Sequence, residues 1–379
     1  MDMHADENGR ALSEAAFEIA QWIILAAYID DDINDRIVFR LIVSPRFMAA
    51  ITPIGAGFDV KVSTGAVSAI VDVIARIAAT NSLDDFISAD SRQELGINDE
   101  ETAWDFVFVA AMIFLALHEA GHCVGGHLSL LVGPRMSPKN LSFSENERRI
   151  ITALAEAAND MSLTPLDISR MMEFEADGMA ADLIYTDFLK ILGTFEDHVP
   201  TGSPPSGKCR VELIRLCTLA MTIVLGLIER YRLESTRSGP SLHPLPLGRM
   251  LNIVGRRLQM LQRNTLHRNE EDAAIVVDVE DPEELIDIAR DAFWLMMVVD
   301  KALGKPVFNP LSDELVTATE SGFISDLQAY MSGSAPNRTE AGTELSELAT
   351  RAGPYLRHLK TFRLCDFWRL QDGKVDTQR

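Results

Sequence analysis

His118 and His122 stand four residues apart, and Glu119 directly follows the first. On a helix, residues i and i+4 share a face one turn apart, so both imidazoles point the same way. Two neutral imidazoles so placed can hold one zinc ion. Glu119 lies about 100° round the helix from His118, near enough to reach a metal-held water without ligating the metal. The pattern His-Glu-x-x-His is that of zinc peptidases. Phe106 to Leu117, twelve apolar residues in a row, leads straight into it. A helix that apolar belongs in a core, which is where a catalytic zinc helix sits.

A catalytic zinc needs a third protein ligand and a fourth position open to water. Three sources compete. His127 follows His118 by nine residues, one short of the ten that the three-histidine pattern wants, although Gly125 fits that pattern's glycine. A distant Asp or Glu is a second source. The third is Glu173, on a helix whose start is legible: Thr164 as N-cap, Pro165 at the first helical position, Asp167 in the first turn. Glu173 and Asp177 are i and i+4 on that helix. Glu173 can ligate while Asp177 accepts from the free N–H of a zinc histidine. Glu173 is the preferred ligand. Glu175 lies on the opposite side and is expected to face solvent or a salt-bridge partner.

His118-Glu-Ala-Gly-His122 with His127 beyond it, then Glu173-Phe-Glu-Ala-Asp177, resembles the gluzincin peptidases of the HtpX and CAAX prenyl protease type. Ser241-Leu-His243-Pro244, with Arg249 five residues after Pro244, resembles the family's His-Pro-x4-Arg segment. Ala49-Ala50, then the stretch from Gly55 to Val67, stand where the family carries Asn-Ala-Phe-Ala and, after a gap, a strand; the resemblance there is partial, since the Asn-Ala-Phe is absent. The resemblance spans roughly residues 36 to 255 and extends to the phage-exclusion Lit type of peptidase. It implies a zincin-like core with one zinc ion per chain held by His118, His122 and Glu173. It also implies His243 as a donor to the oxyanion, with Asp177, His127 and Arg249 as supports. Glu119 would act as general base and then acid in hydrolysing a peptide bond. The alternative is a catalytically silent zinc scaffold that binds a protein partner, but such a scaffold has no need of an intact Glu119.

The chain carries 56 acidic against 35 basic residues, a formal charge of −21. Nucleic acid and anionic membranes want clustered Lys and Arg, so neither is an expected partner; a protein or peptide substrate is. The N-terminus is acidic and shows no signal peptide. Phe106–Leu117 and Leu216–Ile228 are too short as uninterrupted runs to span a bilayer. Cys123, Cys209, Cys217 and Cys365 show no C-x-x-C spacing and read as reduced thiols. These features point to a cytoplasmic protein without an integral membrane segment, unlike the membrane-embedded relatives that the resemblance names.

The expected fold is mainly α (α+β), with a small sheet beside the zinc helix and a helical C-terminal extension. Residues 1–35 form an N-terminal helical segment, 36–257 the peptidase domain and 258–379 the extension. Residues 11–29 read as a helix, and 30–35 as an acidic solvated turn. Strands are expected at 36–43 and 58–63, the second either as a free edge that takes an extended substrate or as a plain strand of the sheet. Further helices are expected over 65–79, 101–131, 144–161, 211–232, 283–300 and 343–351. Residues 81–101, 133–140, 201–207 and 238–246 read as loops, and 371–379 as a frayed end.

Overall fold

The computed structural model describes residues 3–27, 37–54, 57–97, 99–125, 127, 164–185, 207–234, 243–266, 282–308 and 313–359. The expected acidic turn at 30–35, loop at 133–140, helix at 144–161, connector over 201–206 and tail at 371–379 lie outside the described residues, as does Cys365.

One helix lies at the centre. α4 spans Glu100–Val124 and is opened by Asp99, whose carboxylate accepts from Thr102 N at 2.7 Å. Glu100 and Glu101 in its first turn suit the positive end of the helix dipole. Every residue from Ala110 to His118 is buried, so the helix is enclosed on all sides rather than along one stripe. Its neighbours are α1 (Met3–Ala27), α2 (Thr64–Ala78), α5 (Pro165–Leu183), α6 (Gly207–Glu234) and the sheet. α4 and Val211–Glu234 within α6 are long and apolar enough to cross a bilayer by length and composition, but 78% of the most apolar window of each is buried inside the protein. Packing against other helices therefore accounts for their hydropathy.

The sheet has three strands, β1 (Ile37–Ile42), β2 (Ala49–Ile54) and β3 (Gly57–Ser63), in the order β1-β3-β2. β3 runs parallel to β1 and antiparallel to β2. Phe58–Ser63 is thus the central strand, which corrects its reading as a free edge. The cause is β2, which sequence patterning does not reveal: Ala49-Ala50 favours strand weakly, and Pro53 reads against one. Phe58, Val60 and Val62 are buried, and Asp59 and Lys61 take the other face with Arg40 of β1. β2, not β3, is the edge beside α4.

α5 begins as its sequence dictates. Thr164 and Asp167 form a reciprocal capping box, with Pro165 in the first turn. α7 (Pro246–Leu266) lies along α5, fastened by Arg249 to Asp177, Asn252 to the Phe174 carbonyl, and Arg256 to Asp182. α8 (Pro282–Leu303) packs on α2 and α6, α9 (Asp313–Met331) on α7 and α8, and α10 (Glu340–Leu359) on α5 and α7. A short α3 (Ala89–Glu94) and a 3-10 turn at Leu83–Asp85 occupy the expected loop before α4. One hydrophobic cluster runs from Ala16 of α1 to Leu348 of α10, and α7 passes through residue 257. The protein is mainly helical with a small sheet, as expected.

α4 and α5 cross where both are small. A Cβ built on Gly121 would lie 3.1 Å from the Ala176 Cα and 3.4 Å from its carbonyl oxygen. The obstacle is backbone, which cannot swing aside. Gly121→Val should therefore force the helices apart and destabilise the protein by about 1–3 kcal/mol, the usual cost of overpacking. Denaturant unfolding of metal-free protein measures this, and an unchanged midpoint would show that the crossing is set elsewhere.

Candidate metal centre

The crossing brings two α4 histidines against one α5 carboxylate. His118 Nε2 lies 3.5 Å from Glu173 Oε2, and His122 Nε2 lies 3.6 Å from Glu173 Oε1. The two imidazole centroids are 5.0 Å apart, with ring planes at 88°. One donor atom from each of His118, His122 and Glu173 falls within 4.8 Å of the others. Ligands on tetrahedral bonds of ~2.0–2.1 Å are separated by about 3.4 Å. The observed spacings are those of a site that a single metal ion fits. Glu173 Oε2 supports the fit: it is buried without a well-aligned hydrogen bond, with His243 Nδ1 at 3.0 Å and Arg249 Nη2 at 3.5 Å.

Each histidine presents its Nε2 to the centre because its Nδ1 is engaged elsewhere. His118 Nδ1 lies 3.0 Å from Asp177 Oδ1, close though off the ideal line. Asp177 is fully buried and held by a two-pronged contact, from Arg249 Nε at 2.6 Å and Nη2 at 2.7 Å. His122 Nδ1 lies 2.9 Å from His127 Nδ1, and His127 Nε2 lies 3.1 Å from Glu175 Oε2. If Nε2 of His122 takes a metal, its Nδ1 must carry the proton, so His127 accepts at Nδ1 and donates from Nε2 to Glu175. α4 ends at Val124 rather than near residue 131. Gly125 leaves room for the His127 imidazole, since a Cβ there would stand 2.6 Å from its Nε2.

Burial dominates the electrostatics. It drives His122 down to about 3, against a smaller opposing pull from Glu173, so that imidazole is neutral. Burial also pushes His118 downward, but Asp177 and Glu173 overcome it and raise the group to about 10. Glu173 is held well below the ordinary carboxylate range because His243, His118 and His122 outweigh its burial. Arg249 does the same for Asp177. Burial raises Glu119 to about 7, opposed by His118, His243 and Arg249. A cation at the centre would oppose that rise further.

All eight residues singled out from the sequence fall in one region. His118, His122 and Glu173 converge; Asp177, Arg249 and His127 stand behind the histidines; Glu119 and His243 share their field. Glu175 takes the second of its two expected settings, beside an ion-pair partner. It is buried rather than solvent-facing, and its partner is His127. Helical spacing does place it away from Glu173, but it cannot show that the chain after Gly125 returns to meet it. His243 reaches the ligand carboxylate itself, which the sequence does not reveal. No protein-family model, curated protein or solved structure matches the chain.

Two outcomes follow from this geometry. Metal requires neutral imidazoles, yet His118 keeps its proton up to about 10 in the metal-free protein. Binding of a divalent ion near pH 7 should expel that proton, and affinity should climb as pH rises toward 10. Calorimetric titration in buffers of different ionisation enthalpy measures the release, and a value near zero would contradict the charged His118. The same proton stabilises the metal-free fold: its contribution is whole below the unfolded histidine value and is lost as pH rises through about 10. Second, His127→Ala frees His122 Nδ1 and should weaken metal binding by about 10–100-fold, whereas Glu173→Ala should abolish stoichiometric metal. Competition with a chelator ranks the variants; equal loss in both would make His127 a ligand.

Proposed function

We propose that the chain is a zinc-dependent endopeptidase of the gluzincin kind, similar in its site to the HtpX and CAAX prenyl protease type. The observation that carries this reading is the opposed engagement of the two histidines. Both Nε2 atoms turn to Glu173, and both Nδ1 atoms lie against protein groups, His118 beside Asp177 and His122 beside His127. A pair that served only the fold would have no reason to leave three donors converging. Two imidazoles and one carboxylate are the ligand set of catalytic zinc peptidases, and nitrogen with oxygen donors suits zinc better than calcium or magnesium.

Zinc held by His118, His122 and Glu173 would supply Lewis acidity, lowering the pKa of water and polarising a carbonyl. The chain's own groups do the rest. Glu119 takes a proton from the attacking water and passes it to the leaving amine. Asp177 and His127 hold the imidazoles in the tautomers that leave Nε2 free. Arg249 keeps Asp177 ionised. His243 stands beside the ligand carboxylate and has two possible tasks, orienting Glu173 or donating to the oxyanion as charge develops. An extended peptide that adds to the sheet would pair with β2, the edge strand beside α4 among the described residues.

Glu119→Gln separates an enzyme from a scaffold. It should keep zinc and fold while cleavage falls by at least ~10²-fold, the contribution of a general base. Metal analysis together with a search for new N-termini in expressing cells tests this; an unchanged set of N-termini in wild type and variant would leave only the scaffold. His243→Phe separates the two tasks of that residue. Weaker zinc binding means that it orients Glu173. Retained zinc with kcat lowered about 10²–10³-fold and KM unchanged means that it serves the oxyanion.

A further inference from the structure

The segment His243-Pro244-Leu245-Pro246 carries His243 to the centre and opens α7. Proline has no N–H, so between His243 and Leu247 the segment offers one backbone donor, Leu245 N–H. That donor goes to Glu344 Oε2 of α10 at 2.9 Å. The other Glu344 oxygen accepts from Arg170 Nη1 at 2.7 Å. Arg170 is on α5, one turn before Glu173. Leu245's carbonyl in turn accepts from Gly248 N at 2.9 Å and Arg249 N at 3.1 Å, which starts the turn that presents Arg249 to Asp177. One carboxylate thus joins the His243 segment to the helix of Glu173.

α10 is itself held in place. Asp326 of α9 is fully buried and accepts from the N–H groups of Asn337, Arg338 and Thr339 at 2.7–2.8 Å, just before α10 begins. Farther along, Arg351 meets Asp167 of α5 at 2.8 Å. Ala341 packs so close to Gly248 that a Cβ there would lie 3.2 Å from the Ala341 carbonyl.

We propose that Glu344 is a positioning residue for the candidate site, fixing the His243 segment relative to Glu173 and making α10 part of the working site. The consequence for turnover rests on the peptidase reading, whereas the placement of the segment does not.

Amide hydrogen exchange of the full-length, zinc-loaded chain tests it, with Glu344→Ala, Glu344→Gln and Arg351→Ala beside wild type. In Glu344→Ala the Leu245 amide should exchange about tenfold faster or more, as befits a lost hydrogen bond to a charged acceptor, with α4 amides unchanged. Glu344→Gln keeps an acceptor and should recover part of the protection. Arg351→Ala, which loses another α10–α5 contact, should leave Leu245 at the wild-type rate. Wild-type exchange at Leu245 in Glu344→Ala would overturn the proposal, and so would an equal acceleration across α4, which would mark a general loss of stability. On fluorescein-labelled casein, Glu344→Ala should lower kcat with KM and zinc content retained, and should cost nothing further in a His243→Phe background. An additive loss there would overturn the link through His243. An inactive wild type with full zinc would count against the peptidase reading, leaving the exchange result to decide the role of Glu344.

Discussion

Burying carboxylates is the constraint on which the rest of this structure depends. Glu173 is largely and Asp177 wholly removed from solvent, beside a core built mostly of aliphatic and aromatic side chains. Each ionised group taken out of water costs several kcal/mol unless charge and hydrogen bonds offset it. The surrounding elements supply that offset. α4 contributes two imidazoles, and α7 contributes Arg249 in a two-pronged contact. The remaining rungs between α5 and α7, through Asn252 and Arg256, fix the guanidinium in register with Asp177. Removing Arg249 would take away the two-pronged contact and leave the buried Asp177 carboxylate with His118 as its nearest partner, a costly change. The small residues at the α4–α5 crossing, Gly121 and Ala176, let the partners come this close.

What was legible in the sequence was local in the chain. His118 and His122, and likewise Glu173 and Asp177, are i,i+4 pairs, and a helix fixes their shared face without knowledge of the fold. Thr164, Pro165 and Asp167 mark a helix start by side-chain chemistry confined to one turn. What was not legible depends on distant segments. β2 has a weak strand composition and a proline, so its pairing with β3 comes from the sheet rather than from its own residues. Without β2, local patterning leaves β3 open to being an edge or an inner strand. Glu175 has a helix-surface position in isolation, and its contact with His127 depends on a residue 48 positions away. The Glu344 contact with Leu245 links residues 99 apart, a separation that no helical or strand period encodes.

The two α4 histidines show how position divides one residue type into two states. They lie a single turn apart on one helix, yet burial leaves His122 neutral while two carboxylates keep a proton on His118. The difference lies behind the rings. His118 backs onto an ionised Asp177, and His122 backs onto His127, an imidazole that can accept a proton bond without bringing a negative charge. Glu175 stands one step farther away, on the other side of His127.

The charge of the centre also indicates the kind of ion it suits. Glu119, Glu173 and Asp177 are three carboxylates facing one guanidinium, that of Arg249. With neutral histidines this group carries two excess negative charges in a low-dielectric surround. In the metal-free chain a proton on His118 offsets part of the excess, while burial raises the Glu119 carboxyl to about 7. A divalent ion among His118, His122 and Glu173 removes the excess in one step and leaves Glu119 free to be ionised. A monovalent ion would leave one negative charge uncompensated, and a trivalent one would overshoot. The arrangement therefore suits a divalent ion while keeping Glu119 ionised, the state in which a carboxylate can act as a base.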